Sequence, residues 1–276
     1  MKDIFKLAKK IAQGAGAIQR RHLGRIKNIR FKGDINLLTE VDQACEKFII
    51  DKIKAHYPDH DILAEESGTS YSQSSDYRWI IDPLDGTTNY AHGYPFFGVS
   101  IGLEYRGKIV CGVVYDPIRD ELFSAVKDKG ADLNGKPICV SKNQSLKKSL
   151  LATGFAYNVH ETEIDNLDHF SNFIKTAQAV RRDGTAALDL CYVACGRFDG
   201  YWELGLWPWD VAAGYLIVEE AGGRVTQFRG MSFDVYGKEI VASNGLIHDE
   251  MKTSLARGKV PKEGQRRQEL LNIRKT

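Results

Sequence analysis

The chain is poor in the features that mark secreted or membrane proteins. Its five cysteines, Cys45, Cys111, Cys139, Cys191 and Cys195, are odd in number and form no CxxC pair, which excludes a complete disulfide framework and suits a reducing, cytoplasmic interior. Cys191 and Cys195 stand four apart on an expected helix without a nearby histidine or cysteine partner, so they read as small buried side chains rather than half a metal site. Long hydrophobic runs are missing as well. The opening Met-Lys-Asp-Ile-Phe-Lys-Leu-Ala-Lys-Lys interrupts its apolar residues with charge every few positions, which fits neither a signal peptide nor a membrane span. There is no internal repeat and no low-complexity segment. Charge of one sign is not in excess either, because 38 Lys and Arg face 36 Asp and Glu for a net +2. The tail from Arg257 to Thr276 holds seven basic and two acidic residues, so removing its +5 leaves the body at −3. Nucleic-acid binding is therefore not expected of the body, and the tail reads as a flexible, solvated extension.

What is present is enough chain, 276 residues, for a large core in one domain or two closely packed halves. Ile4, Leu7, Ala8, Ile11, Ala15 and Ile18 recur at helical spacing, as do Val41, Cys45, Phe48, Ile49 and Ile53 behind a capping Thr39. Between them Ile29 to Lys32 reads as a short extended piece. Ile62 to Ala64 reads as a strand ending at Glu65-Glu66, followed by a mobile Ser/Gly/Thr-rich loop from Ser67 to Asp76. Alternation from Val99 to Tyr105, a turn at Arg106-Gly107, a return over Ile109 to Val114 and a third strand at Leu122 to Val126 predict an antiparallel meander. Asn134-Gly135 marks a tight turn, and the polar stretch from Ser141 to Ser149 separates a second part with strands near Leu150, Gly200, Val225 and Ile240 and helices over 165–177, 187–195 and 211–221. The expected organisation is an N-terminal α+β half over 1–142, a C-terminal α/β half over 143–256 and a basic tail over 257–276.

Residues 79 to 89, Trp-Ile-Ile-Asp-Pro-Leu-Asp-Gly-Thr-Thr-Asn, drive an apolar strand straight into two carboxylates, a proline, a glycine and two hydroxyls. A packed strand fixes the direction of Asp82, Pro83 stiffens the exit, and Gly86, Thr87 and Thr88 open a helix whose free N–H groups suit an anion. Carboxylates beside free amides suggest divalent cations under a phosphate. Taken alone, Asp-Gly is an ordinary turn and Asp82 a helix cap. Two further segments share the form: Ile62-Leu63-Ala64-Glu65-Glu66-Ser67 and Trp207-Pro208-Trp209-Asp210-Val211-Ala212-Ala213-Gly214.

With these three segments, and Glu219-Glu220-Ala221-Gly222-Gly223 behind the last, the chain resembles the inositol monophosphatase family of lithium-sensitive, magnesium-dependent sugar phosphatases, over nearly its whole length to about Ala256. The resemblance implies a layered α/β/α/β/α fold of α+β class and a homodimer. It implies hydrolysis of myo-inositol monophosphate, or a closely related sugar phosphate, by a metal-activated water. Glu65, Asp82 and the carbonyl of Leu84 would hold a first Mg²⁺, Asp82, Asp85 and Asp210 a second, and a third ion would lie near Glu65. Such ligands agree with the preference of Mg²⁺ for a few hard oxygens. Glu65 and Thr87 would orient the attacking water, with Asp82 and Asp85 as ligands rather than nucleophiles. Phosphate would rest on Gly86, Thr87 and Thr88. The alcohol would meet Gly184, Thr185, Ala186 and Glu203. Lys32 and Glu66 match positions near the metals. Asp183 and Trp207 depart from the animal enzymes, Trp207-Pro208-Trp209-Asp210 looks like the bacterial branch, Arg181-Arg182 reads as a solvated pair, and His92 as a helix-end side chain rather than a base. Alternative substrates in related folds are fructose 1,6-bisphosphate, histidinol phosphate and 3′-phosphoadenosine phosphate. An alternative of another class is a regulatory protein binding the transcription machinery, a role that would leave the ligand set free to decay.

Overall fold

The computed structural model of the chain describes residues 1–25, 29–31, 37–70 and 75–258. Lys32 and the tail beyond Gly258 therefore lie outside the described residues. The N-terminal periodicity becomes α1 (Lys2–His22) and α2 (Glu40–His56), the latter capped by Thr39, whose backbone N–H bonds Asp42 Oδ2 at 2.9 Å. Between them, β1 (Ile29–Phe31) and β2 (Leu37–Thr39) form a small antiparallel ribbon.

Eight strands build the first large sheet: β3 (Asp61–Ala64), β4 (Gly68–Ser70), β5 (Tyr77–Asp85), β6 (Gly98–Tyr105), β7 (Lys108–Asp116), β8 (Glu121–Val126), β9 (Ala131–Leu133) and β10 (Lys136–Pro137). β6 through β8 form the meander expected from the alternation, β5 pairs antiparallel with β6 beside it, and a five-residue helix, α3 (Thr87–Ala91), sits between β5 and β6. The expected loop after Glu66 begins as strand β4, pairing antiparallel along the edge with β3. Three residues are too few to show an alternating pattern, so the sequence around Gly68 reads as loop while its backbone pairs with β3.

The second sheet has the order β12-β11-β13-β15-β14. It comprises β11 (Leu150–Thr153), β12 (Ala179–Arg181), β13 (Gly200–Leu204), β14 (Arg224–Thr226) and β15 (Glu239–Ser243), with α4 (Leu167–Thr176), α5 (Ala186–Ala194), α6 (Pro208–Glu220) and α7 (His248–Leu255) interleaved. Strand β12 and helix α7 were not legible in the sequence; α7 is short and mostly polar, and docks through Met251 and Leu255.

Alternation along the strands sorts the side chains into three cores, which define five layers. Trp79 and Ile81 of β5 face α1 and α2 with Val99 and Val113, whereas Ile80 faces the opposite way toward α5 and α6. The same two helices are covered from beyond by Tyr201, Ile240 and Ala242 of the second sheet. Trp202 and Val241 point outward onto Phe173 of α4 and Met251 of α7. The order is helix, sheet, helix, sheet, helix, the α+β sandwich expected. Close seating of α6 depends on Gly102 and Gly112, paired across β6 and β7: a Cβ at Gly112 would stand 2.6 Å from the Ala213 carbonyl and one at Gly102 2.9 Å from Ala212 Cβ.

Candidate active site

Register brings the acidic segments together. β3 runs parallel to β5 with Ala64 beside Ile81, so Glu65 leaves its strand next to Asp82, and its N–H bonds the Ile81 carbonyl at 3.2 Å. On the other side Asp82 pairs with Ser100 of β6, whose hydroxyl donates to the Trp209 carbonyl at 3.1 Å, immediately before Asp210. Three segments far apart in sequence thus end at one corner.

The motif strand differs in one respect from the expectation that it stops at Asp82. β5 continues to Asp85 through an irregularity in which three steps from Asp82 to Asp85 match two from Ser100 to Gly98. Pro83 has no N–H to give the ladder, and Asp82 Oδ1 accepts from the Leu84 N–H at 2.9 Å, so the chain bulges rather than ends. Gln19 of α1, fully buried, secures the bulge: its Nε2 donates to the Pro83 carbonyl at 2.8 Å and to that of Gly98 at 3.2 Å. Gly86 then turns in the left-handed region at φ 96° and starts α3, placing Thr87 and Thr88 in its first turn.

Each remaining carboxylate is aimed by a backbone donor. Asp85 Oδ2 accepts from the Ala187 N–H at 2.8 Å, and Thr185, which caps α5, also bonds its carboxylate. Thr185 and Ala186 therefore lie against Asp85, and Gly184, at φ 86°, lies over Asn89. Asp210 Oδ2 accepts from the Trp207 N–H at 2.7 Å in the first turn of α6. Glu203, buried in β13, accepts from the Tyr201 hydroxyl. His92 ends α3, Arg181 and Arg182 are exposed, and Asp183 accepts at its carbonyl from Asn89 Nδ2 at 2.7 Å.

Electrostatically the cluster is frustrated. Burial, then repulsion from Glu65, Asp85 and Asp210, drives Asp82 well above the usual carboxylate range. Burial pushes Asp85 and Glu203 each up to about 7, and with help from the Asp85 charge raises Asp210 well above the usual carboxylate range. Among the described residues no three His, Cys, Asp or Glu side chains converge on one point as around a bound ion. Asp82, Asp85 and Asp210 each turn one oxygen to a backbone N–H instead. The donor set itself, several desolvated carboxylates repelling one another with only hard oxygens on offer, fits a divalent cation of the Mg²⁺ kind.

Two acids escaped the sequence reading. Asp42, buried on α2, accepts from Thr87 Oγ1 at 2.9 Å; the same hydroxyl lies 3.1 Å from the Leu84 carbonyl. Glu46, one turn later, accepts the Glu66 N–H at 2.8 Å. Their signal was an i, i+4 acidic pair on the apolar face of α2, where Asp42 passes as a capping-box residue.

The family model of the inositol monophosphatases matches residues 1–260. The chain belongs to the inositol monophosphatase family. Within it, this phosphatase is 48% identical to an inositol-1-monophosphatase of Synechocystis, over 91% of this chain and 88% of the other. It is 42% identical to a Nus factor SuhB of Pseudomonas aeruginosa, over 92% of this chain and 96% of that one. The solved inositol monophosphatase of Anabaena superposes with a TM-score of 0.86 at 45% identity, covering 94% of this chain and 97% of the other. These likenesses extend the family's fold and reaction class over nearly the whole chain.

Proposed function

We propose that this inositol monophosphatase family member hydrolyses myo-inositol monophosphate, or a closely related sugar phosphate, with Mg²⁺. The observation that carries the reading is the buried carboxylate corner beside the first turn of α3. Glu65, Asp82, the Leu84 carbonyl, Asp85 and Asp210 would hold two Mg²⁺, with a third near Glu65, and these ions supply charge neutralisation for the phosphoryl group and a more acidic water. The chain's own residues do the rest. Thr87 donates its hydroxyl hydrogen bond to Asp42, which leaves an oxygen lone pair to accept a hydrogen bond from the attacking water, with Glu65 orienting the same water. Phosphate rests on the N–H groups of Gly86, Thr87 and Thr88, where a helix start favours negative charge. Glu203, Gly184, Thr185 and Ala186 face the alcohol. The protein is read as a cytoplasmic, lithium-inhibited homodimer.

Phosphate release from inositol 1-phosphate, fructose 1,6-bisphosphate, histidinol phosphate and 3′-phosphoadenosine 5′-phosphate, with Mg²⁺, with chelator and with Li⁺, tests the reading. The inositol ester is expected to turn over fastest, only with Mg²⁺. Asp82→Asn or Asp210→Asn is expected to lose that turnover by several orders of magnitude while unfolding cooperatively; near-normal rates in either would sink the metal assignment. The similarity to proteins named Nus factor SuhB favours a second job, binding the transcription machinery alongside catalysis. Co-purification of RNA polymerase with an Asp85→Asn variant would support it, and loss of co-purification would remove it.

A further inference from the structure

The connection from β11 to α4 passes over the site, and its two ends are tied together and to the strand that carries Glu203. Asn166, buried and left-handed at φ 68°, donates from Nδ2 to the Gly154 carbonyl at 2.7 Å and to Thr153 Oγ1 at 3.0 Å. Its Oδ1 accepts from Trp202 Nε1 at 2.9 Å, and Thr153 Oγ1 donates to the Trp202 carbonyl at 2.6 Å. One residue beyond Trp202 stands Glu203.

The start of the connection then runs along the end of β13 without room to spare. A Cβ on Gly154 would fall 2.2 Å from Glu203 Oε2 and 2.4 Å from Oε1, so the absent side chain is the space the carboxylate occupies. Ala156 fills the face of Gly205 in the same way, with its Cβ 2.6 Å from where a Cβ there would lie. The next residue, Tyr157, is thereby carried across to Thr88, with the two hydroxyls 3.5 Å apart. Its side chain is 45% exposed, so packing in a core does not explain it. Partial burial, followed by the charges of Glu65, Asp85 and Asp210, raises the phenol above its ordinary acidity constant, which places the group within the field of the carboxylate cluster. A half-exposed tyrosine whose hydroxyl stands beside Thr88, at the edge of the carboxylate cluster, is placed to meet a ligand.

We propose that Tyr157 is a specificity-determining residue of the alcohol pocket, its phenol hydroxyl hydrogen-bonding the hydroxyl groups of a polyhydroxylated leaving alcohol while Glu203, held against Gly154, takes others. The proposal rests on the phosphatase reading above and names where that enzyme's choice of alcohol resides. Selectivity of this kind comes from polar groups that a substrate without matching hydroxyls leaves unpaired.

Tyr157→Phe removes the hydroxyl and keeps the ring, so any stacking on it survives. The test compares wild type and variant on inositol 1-phosphate and on p-nitrophenyl phosphate, whose leaving alcohol has no further hydroxyl. The ratio of kcat/KM for the first ester to that for the second is expected to fall about 3- to 10-fold, the worth of one hydrogen bond. For the inositol ester the loss should sit in KM, with kcat changed by less than about 2-fold. Equal losses on both esters, or no loss on either, would overturn the proposal: the first outcome makes the hydroxyl a partner of phosphate or of Thr88, the second a solvated group. Failure of the wild type to release phosphate from either ester overturns the phosphatase reading itself, and Tyr157's role with it.

Discussion

Glu203 illustrates how the site trades stability for chemistry, and its replacement by glutamine gives a number. In the fold its carboxyl is held to about 7, against an ordinary 4.5, by burial first and then by the Asp85 charge, with the Tyr201 hydroxyl and Arg182 opposing. A carboxyl raised in the folded state costs nothing below its unfolded value, because both states are then protonated. The cost grows as pH climbs from about 4.5 to about 7 and is constant above, where the fold must carry a buried charge that the unfolded chain leaves in water. Retaining the proton over that interval corresponds to about 3 kcal/mol. Gln at 203 keeps an acceptor for Tyr201 and cannot ionise. In chelator, Glu203→Gln is therefore expected to gain about 3 kcal/mol at pH 8.5, a rise of about 6–12 °C in Tm, shrinking toward zero at pH 4.5. With Mg²⁺ the gain should be smaller, since a cation offsets the Asp85 charge that helps create the penalty. Urea unfolding at the two pH values, with and without Mg²⁺, measures it. A gain equal at both pH values, or a loss at pH 8.5, would refute the reasoning and show that the fold does not penalise this carboxylate.

Other consequences follow from the same geometry. Asp42→Asn should lower kcat by about 100-fold or more with KM within about 2-fold, because the Thr87 hydroxyl loses its anionic acceptor while the phosphate site is untouched; steady-state kinetics on the inositol ester decide it, and a change confined to KM would contradict the role. Gly112→Ala should destabilise by about 1–3 kcal/mol or more, because the new methyl meets the Ala213 carbonyl on α6 at 2.6 Å. Its denaturation midpoint checks this, and an unshifted midpoint would mean that α6 moves freely on the sheet. Because α6 also aims Asp210, the same variant should need more Mg²⁺ for half-maximal rate.

Much of this protein was legible before any coordinates, and for identifiable reasons. The amphipathic faces of α1 and α2, the alternation of β6 to β8 and the three acidic segments are local patterns, set by residues close in sequence. Helix α7 and strands β4 and β12 are not legible because, at eight, three and three residues, they are too short to show a period; pairing and packing with neighbours fix them. The bulge in β5 was misread as a strand end because Pro83 signals interruption equally in either case, and only Gln19, 64 residues upstream, decides which.

By itself the sequence determined which groups the proposed site offers: carboxylates at 65, 82, 85 and 210, a glycine and two hydroxyls at a helix start, and Glu203. The tertiary structure alone decided how they are held. Strand register set Glu65 beside Asp82, the seating of α6 on two glycines delivered Asp210, α2 slid Asp42 under Thr87, and the clasp at Asn166 carried Tyr157 over Thr88. The physical reason is that residue type fixes what an atom can bind. Its orientation, burial and charge state depend on contacts made by segments that only folding brings together.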